Sequence, residues 1–347
     1  MSNTISIHPF KPLYSSGPCF RLKVGQGLVK GVEIEPDQRG ETFTRMAANT
    51  SLHQTGFLIE RMWSMSGTAH TAAFARSLEA LTGAAVPDRA HFIRMIMCEL
   101  ERIQAHLFWL VQAGRALGHL SLWEWSINYQ EHILDIFEKL SGSRYNCSLI
   151  IPGGVRRDIE DEQVDWVRYK LDSFSDMSLL LRDALAEDIM MRMKTRGLGR
   201  ITREQAEEHS FSGPLARSAG VNIDCRKERP YFFYDKVEFG LVKQDRGDAY
   251  ARICCRTDEM FQSLNIIRHC LEKMESGAVK TPLTDLPDGK RKGEVEGPYG
   301  RISHTWVSDG SNYPAAYEIE YPELNNMRLN YLVCPGVRVA EAPFIIL

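Results

Sequence analysis

The amino-acid sequence predicts an α+β fold that is mainly α-helical, with small β-elements from the N- and C-terminal regions. Apolar residues recur at spacings of three and four in residues 87–111 and 248–274, as on a helix with one wide apolar face. Residues 19–36 and 301–321 instead alternate around short turns, as hairpin strands do. A chain of 347 residues can bury such a core without disulfides or metals.

The N-terminal half is predicted to be a hairpin followed by helices. The G-Q-G turn at 25–27 separates the two alternating runs of the hairpin. Helices are expected over 42–55 and 56–82, broken near Gly56 and Gly67, because glycine favours breaks. Pro87 suits the start of the next long helix, and another is expected over 121–140, ending at Gly142. The P-G-G run within 151–155 is not expected to form regular structure.

In the C-terminal half we predict helices over 160–193, 202–208 and 248–274. Turn residues and aromatics over 211–242 predict a long irregular loop, which is usually functional or interface-forming. Residues 275–296 are expected to be an exposed linker, and the apolar residues 343–347 to pack inside the fold or against a partner. These elements predict one domain over 1–347, divided into a hairpin region (1–40), a helical core (41–275) and a linker with a β-region (276–347).

Composition excludes several classes of protein. The formal net charge of −3 gives no global attraction to nucleic acid, and no run of about 18 apolar residues or signal peptide is present. A cytoplasmic or cytoplasm-facing location is therefore expected. The eight cysteines form no C-x-x-C pair, which favours scattered reduced thiols over a zinc or iron–sulfur site. Nucleotide-binding, zinc-protease and serine-hydrolase motifs are also missing from the sequence.

Several charged and histidine residues leave alternatives open. Glu99, Glu101 and Arg102 are interpreted as a solvated charged face in preference to a buried proton relay. The charges of the 212–227 loop are interpreted equally well as a brace for irregular backbone and as part of an active chamber or subunit contact. His53, His70 and His106 are each more typical of packed or partly exposed side chains than of ligands.

An ordered series of motifs then gives a specific resemblance. The series consists of QRG (38–40), ERMWSMSG (60–67), SGSR (141–144), PGGV (152–155), FSGP (211–214), DCRK (224–227), PY (230–231), YD (234–235), GDAYAR (247–252), QS (262–263) and SDG (308–310). The chain resembles the family that unites the large subunit of nickel–iron hydrogenases with the 49 kDa-type peripheral-arm subunit of respiratory complex I. The likeness is strongest to the complex I and group 4 energy-converting membrane branch, and it implies a hydrogenase large-subunit-like helical core.

Departures from the family pattern concern the metal and the quinone. Hydrogenase large subunits hold nickel and iron with two C-x-x-C pairs, but the first pair falls here on Trp63 and Ser66, and the second would lie beyond Leu347. We therefore expect no metal and no cofactor in this chain. The complex I H-R-G motif, which provides a histidine to the quinone cavity, has Gln38 in its first position. By resemblance, the cavity candidates are Gln38, Arg39, Gly40, Trp63, Ser66 and His70, and the structural or interface candidates are Arg144, Arg217, Asp224 and Arg226.

The resemblance implies a metal-free large-subunit homologue in a membrane-bound, ion-translocating respiratory or energy-converting oxidoreductase complex. The expected partners are a small subunit carrying an iron–sulfur cluster, further peripheral subunits and membrane ion-translocating subunits, at the cytoplasmic face of the membrane. The cavity would serve as a quinone-like acceptor pocket or as a coupling element, and no nucleic acid is expected. The alternative is a structural scaffold subunit with an inactive cavity.

Overall fold

The computed structural model describes residues 3–8, 18–35, 38–283 and 285–346. Its helices are α1 (Arg39–Ala47), α2 (Leu52–Met62), α3 (Gly67–Thr82), α4 (Asp88–Leu117), α5 (Leu120–Ser141), α6 (Asp161–Glu187), α7 (Ile189–Thr195), α8 (Arg203–Glu208), α9 (Gly213–Ser218), α10 (Cys225–Glu228), α11 (Ala249–Lys273), α12 (Pro322–Asn326), α13 (Leu329–Val333) and α14 (Ala342–Ile345). Its strands are β1 (Asn3–Ile7), β2 (Cys19–Gly25), β3 (Leu28–Glu35), β4 (Ile150–Ile151), β5 (Gly154–Val155), β6 (Gly289–Gly297), β7 (Gly300–Ser308) and β8 (Ala316–Glu320). The predicted mainly helical α+β class is confirmed.

The four longest helices, α4, α5, α6 and α11, form the centre of the fold. Helix α4 packs against α3, α5 and α11, and α6 packs against α5 and α11. Other parts of the protein cover α4 on nearly all sides, so that its charged residues as well as its apolar ones lie inside the protein. This central position decides where the functional side chains lie.

The helix boundaries follow local sequence signals. Helix α4 begins after Pro87 and ends at Gly118, which has the left-handed φ of 65° that glycine adopts without strain. The expected break near Gly56 is wrong, because Gly56 lies inside α2, whereas the break before Gly67 is confirmed. The single helix expected over 160–193 is interrupted at Asp188, whose carboxylate accepts the Met191 N–H (2.7 Å) and so begins α7.

The N-terminal sheet contains the predicted hairpin. Strands β2 and β3 pair in antiparallel register around Gln26 and Gly27, both of which have positive φ. The predicted end of the hairpin at Pro36 lies outside the described residues. Strand β1, which the sequence did not reveal, adds to the outer edge of β2.

The C-terminal sheet has the order β6-β7-β8. Strands β7 and β8 confirm the predicted hairpin, but the predicted linker is wrong from residue 289 onward, where β6 pairs along the whole of β7. The charges that suggested a linker lie on the exposed side of β6, where Lys290 and Lys292 pair with Glu318 and Glu320 of β8. A Cβ atom on Gly293 would lie 2.0 Å from the Ala73 carbonyl oxygen, so glycine allows this sheet to lie directly on α3.

The remaining connections are more ordered than expected. The 151–155 run forms a minimal hairpin of β4 and β5. The 211–242 loop contains α9, α10 and a short 3₁₀ turn at Tyr234–Lys236. At the C-terminal end, Phe344, Ile345 and Ile346 are buried, as expected for a segment packed inside the fold, and Leu347 lies outside the described residues.

Candidate functional site

The turn between α2 and α3 is the first wall of the candidate site. The Trp63 N–H donates to the Ile59 carbonyl (3.2 Å) and the Ser66 N–H to the Trp63 carbonyl (2.9 Å), so the turn is closed by backbone bonds. A Cβ atom at Gly67 would lie 2.9 Å from Glu60 Cα, which explains why glycine begins α3. Trp63 and Ser66 are both buried by this arrangement.

A cavity of about 160 Å³ lies against this turn. Its outer, half-buried part includes Arg39, Tyr299, Glu323 and Asn326. Its inner part is lined by buried side chains from several regions of the chain, among them Phe20, Trp63, Ser66, Trp109, Leu215, Arg252, Arg256 and Ile345. Ser66 Oγ donates to Glu323 Oε1 (3.3 Å), which joins the turn to α12 on the opposite side.

Behind Trp63 lies a buried aromatic and histidine cluster. The Trp63 ring stacks on His70, with ring centroids 4.4 Å apart and planes 18° apart. His70 Nδ1 lies 2.8 Å from His304 Nε2, and His304 Nδ1 lies 2.6 Å from the Tyr317 hydroxyl. Burial lowers the pKa of His304 to about 3, and burial together with His304 lowers the pKa of His70 well below its usual value. Both imidazoles are therefore neutral near pH 7 and form a hydrogen-bonded chain.

Arg252 and Arg256 form the inner charged wall of the cavity. They lie one turn apart on α11, which Asp248 caps by accepting the Ala251 N–H (2.8 Å). The Arg256 guanidinium lies 4.2 Å from the centroid of the Trp109 ring. Burial lowers the pKa of both guanidinium groups to about 10.

A buried ion network lies beside this wall and includes Arg217, Asp224 and Arg226. Arg217 donates to Glu259 Oε1 (2.7 and 2.9 Å) and to Glu296 Oε1 (2.8 Å). Arg226 donates to Asp224 (2.7 and 3.0 Å). All of these side chains are buried and none lines the cavity. The structural or interface role predicted for Arg217, Asp224 and Arg226 stays a prediction.

The interpretation of Glu99, Glu101 and Arg102 as a solvated face is wrong. All three are buried, because α4 is covered on both sides by α3 and α11. Glu99 accepts hydrogen bonds from Arg102, Arg226, Tyr234 and Ser263. Burial alone would raise the pKa of Glu99, but Arg102 and Arg226 lower it to about 2.

Glu101 has a different environment. Its carboxylate accepts the N–H groups of Thr68 (2.6 Å) and Ala69 (2.9 Å) in the first turn of α3. Burial nevertheless raises its pKa to about 7, and the neighbouring Glu60 charge adds to this effect. Glu60 is itself buried and accepts the Ser148 N–H (2.6 Å). Glu101 therefore holds the start of α3, and Glu60 ties the end of α2 to the loop that contains Ser148.

Replacing Glu101 by Gln is expected to change the pH dependence of stability. The folded-state pKa of about 7 exceeds the ordinary value of 4.5, so the unfolded chain binds fewer protons at Glu101 between these pH values. The contribution of this group to stability is present below pH 4.5 and is lost as the pH rises through 7, on the order of 3 kcal/mol in total. In Glu101→Gln this loss should disappear. The free energy of unfolding of the variant relative to wild type should therefore rise between pH 5 and pH 8 in denaturant titrations.

The exposed Glu208 on α8 provides the control for this measurement. Glu208→Gln makes the same chemical change at an exposed position and should have little effect on the free energy of unfolding. His106 and His304 titrate in every variant, so their contributions cancel in the differences. A pH-independent difference for Glu101→Gln would contradict the raised pKa.

Comparison with known proteins gives the family. The model of the family described as "Respiratory-chain NADH dehydrogenase, 49 Kd subunit" matches residues 116–286. An NADH-quinone oxidoreductase subunit of Desulfotalea psychrophila is 31% identical over 302 residues, covering 86% of this chain and 81% of that protein. The chain belongs to the 49 kDa subunit family of respiratory-chain NADH dehydrogenase. The predicted resemblance is thus confirmed.

Two further comparisons cover nearly the whole chain. The carbon monoxide-induced hydrogenase of Rhodospirillum rubrum is 26% identical over 348 aligned residues, covering 99% of this chain and 96% of that protein. A chain from the structure of the membrane-bound sulfane sulfur reductase, an archaeal respiratory membrane complex, matches with a TM-score of 0.93 and 27% identity, over 99% of this chain and 95% of that chain. Among the described residues, no helix of this 49 kDa family member is both long and apolar enough to cross a membrane.

The predicted cavity residues of this family member divide into three groups. Arg39, Trp63 and Ser66 line the cavity, and Arg39 also donates to the Met62 carbonyl (3.2 Å). Gly40 and His70 lie behind it; a Cβ atom on Gly40 would lie 3.1 Å from Tyr321 Cε1, so glycine lets this ring approach. Gln38 is exposed just before α1 and is not among the lining residues.

Arg144 lies away from the cavity. It pairs with Glu131, Asp135 and Glu138 on α5, with about one third of its side chain exposed. This position ties the end of α5 to the following loop. The interface role predicted for Arg144 stays a prediction.

The cavity residues do not fit a nickel–iron centre. Trp63 presents an aromatic ring and Ser66 a neutral hydroxyl where thiolates are needed, and no cysteine lies among the described residues that line the cavity. The cavity wall also includes Arg252 and Arg256, which were not among the residues predicted from the sequence. The signal that identifies them is charge at i, i+4 and i+7 on α11, at residues 252, 256 and 259, which lie on the buried side of that helix.

Proposed function

We propose that this chain is the large-subunit homologue of a membrane-bound, ion-translocating oxidoreductase complex, in which it packs on an iron–sulfur subunit at the cytoplasmic face. The observation that carries the proposal is the cavity between the Trp63–Ser66 turn and α12, in a chain whose relatives belong to membrane respiratory complexes. In this proposal the cavity binds the electron acceptor of the complex, and the chain itself holds no metal. Electrons arrive from the cluster of the neighbouring subunit.

The residues at the cavity suit acceptor binding better than metal chemistry. Arg39 and Tyr299 at the outer part supply hydrogen-bond donors, and the buried Trp63 and Trp109 supply flat apolar walls. A quinone headgroup is the candidate acceptor, since one of the relatives is an NADH-quinone oxidoreductase subunit. Two electrons and two protons convert such a quinone to the quinol. The chain's contribution is to orient the headgroup and to exclude water.

The first test is isolation of the tagged full chain from its own membranes. We expect an iron–sulfur subunit and ion-translocating membrane subunits to copurify, and metal analysis to find iron without stoichiometric nickel. Recovery of the chain as a soluble monomer would overturn the assignment to a complex. One nickel per chain would overturn the metal-free cavity.

The second test is turnover of the purified complex, with reduced methyl viologen as electron donor and a short-chain quinone as acceptor. Arg39→Ala should lower turnover by roughly tenfold, since it removes a donor from the cavity wall. Arg45→Ala is the matched control, because Arg45 is exposed on the same helix and does not line the cavity. Unchanged turnover in both Arg39→Ala and Ser66→Ala, with the complex intact, would favour the structural scaffold.

A further inference from the structure

The inner wall of the cavity carries two buried guanidinium groups whose hydrogen bonds are incomplete. Arg252 is 5% exposed and Arg256 is 6% exposed. Arg252 donates through Nη1 to the carbonyls of Gly199 (3.0 Å) and Gly247 (3.3 Å), and Arg256 donates through Nη1 to the Arg252 carbonyl (3.3 Å). Within the described part of the chain, Arg252 Nη2 and Arg256 Nε have no hydrogen-bond partner.

The charges of these two groups are only partly balanced by the described residues, since Asp248 acts on Arg252 and Glu259 acts on Arg256 from beyond ion-pair distance. Neither arginine forms an ion pair there, because the nearby acidic side chains are engaged elsewhere. Glu259 binds Arg217 and His106. Asp248 accepts N–H groups from Gly197 (2.9 Å) and Ala251 (2.8 Å). Burying a charge without a partner is costly, so a fold that places two of them on one cavity wall points to a ligand that neutralises them.

The cavity as a whole is lined by more basic than acidic side chains. Among the residues that line it, three are arginines (Arg39, Arg252 and Arg256) and one, Glu323, is a glutamate. The volume of about 160 Å³ is close to that of an engineered cavity that holds benzene, so there is room for a compact ligand of several heavy atoms. A neutral quinone carbonyl accepts hydrogen bonds but leaves both buried charges only partly balanced.

We propose that the inner end of the cavity binds a compact anion between Arg252 and Arg256. The inference rests on the proposed acceptor cavity and adds an anion-binding subsite at its inner end, apart from the outer residues proposed to bind the quinone headgroup. Both guanidinium groups line the cavity and hold the anion between them, and the Trp109 ring, which lies against the Arg256 guanidinium, holds that group in place. The half-buried Arg39 lies on the entry side, where its positive charge attracts anions.

The test is equilibrium dialysis of the purified complex with three labelled anions, namely thiosulfate, sulfate and acetate. We expect saturable binding of at least one of them, with one site per chain, that dimethyl sulfoxide does not displace. Arg256→Met should weaken this binding on the order of 10- to 100-fold, because it removes a charge-assisted hydrogen bond. Arg256→Lys keeps the positive charge but not the planar set of guanidinium N–H donors. Its affinity for the anion should lie between those of wild type and Arg256→Met.

Arg268→Met is the matched control on the same helix, since Arg268 pairs with Asp172 (2.9 Å) on the outside of the protein. This variant should bind the anion as wild type does. Arg256 is preferred to Arg252 for the test because Arg252 also holds two backbone carbonyls, and unfolding curves of each variant identify any loss of fold.

Two outcomes would overturn the inference: absence of saturable binding for all three anions in an intact complex, or binding that Arg256→Met and Arg256→Lys leave unchanged. Copurification and quinone turnover test the proposed function separately. A complex that assembles and reduces quinone but binds none of the anions therefore contradicts only this inference.

Discussion

Replacing Arg217 by Met is expected to destabilise the full chain by about 3–5 kcal/mol, as loss of one partner from a buried ion network does. Arg217 is fully buried and donates to Glu259, to Glu296 and to the Ile223 carbonyl (2.9 Å). Burial alone would raise the pKa of Glu259, but the Arg217 charge holds it below its usual range. Without Arg217, the carboxylates of Glu259 and Glu296 remain buried and still bear the free-energy cost of desolvation, but they lose their main positively charged partner.

Denaturant unfolding of wild type, Arg217→Met and the double variant Arg217→Met/Glu296→Gln checks this expectation. The double variant should recover part of the loss, because it removes one of the carboxylates left without a cation. Arg203→Met, which breaks an exposed pair with Glu207 on α8, should give no measurable change. Equal effects of Arg203→Met and Arg217→Met would contradict the importance of burial.

The long helices were predictable because apolar residues at spacings of three and four indicate a helix regardless of which elements the helix packs against. Helices α5 and α11 lie close to their predicted bounds and α4 begins where predicted, and the β2–β3 and β7–β8 hairpins follow from alternation and turn residues. Strand β6 was missed for a physical reason. Its exposed Lys290, Arg291 and Lys292 look like a solvated linker until β8 supplies the opposing carboxylates.

The candidate site was predictable only in part. The motif series placed Trp63 and Ser66 at the cavity, because short motifs specify the local turn. Arg252 and Arg256 were missed, since an arginine on an amphipathic helix usually faces water. Sequence spacing does not reveal that a second layer, here α9 and α14, covers that face of the fold. The same limitation led to the error at Glu99 and Glu101 on α4.

Replacing Trp63 by Ala is expected to cost about 3–5 kcal/mol of stability, the range for removal of a large buried aromatic side chain. Trp63 is 1% exposed, and its ring contacts Phe43 (5.3 Å between centroids), His70 and Tyr321 (5.7 Å). These neighbours are anchored on three different elements, so they cannot collapse together into the space that the indole leaves. The void would join the existing cavity and enlarge it.

Unfolding measurements on Trp63→Ala, Trp63→Phe and Trp125→Ala separate packing from chemistry at this position. Trp63→Phe keeps a ring against His70 and should lose less stability than Trp63→Ala. Trp125, which is 41% exposed on α5, should tolerate alanine with little change. If Trp63→Ala unfolded no more easily than Trp125→Ala, the indole would not be a packing element of the α2–α3 turn. Its presence in the cavity wall would then need an explanation in acceptor binding alone.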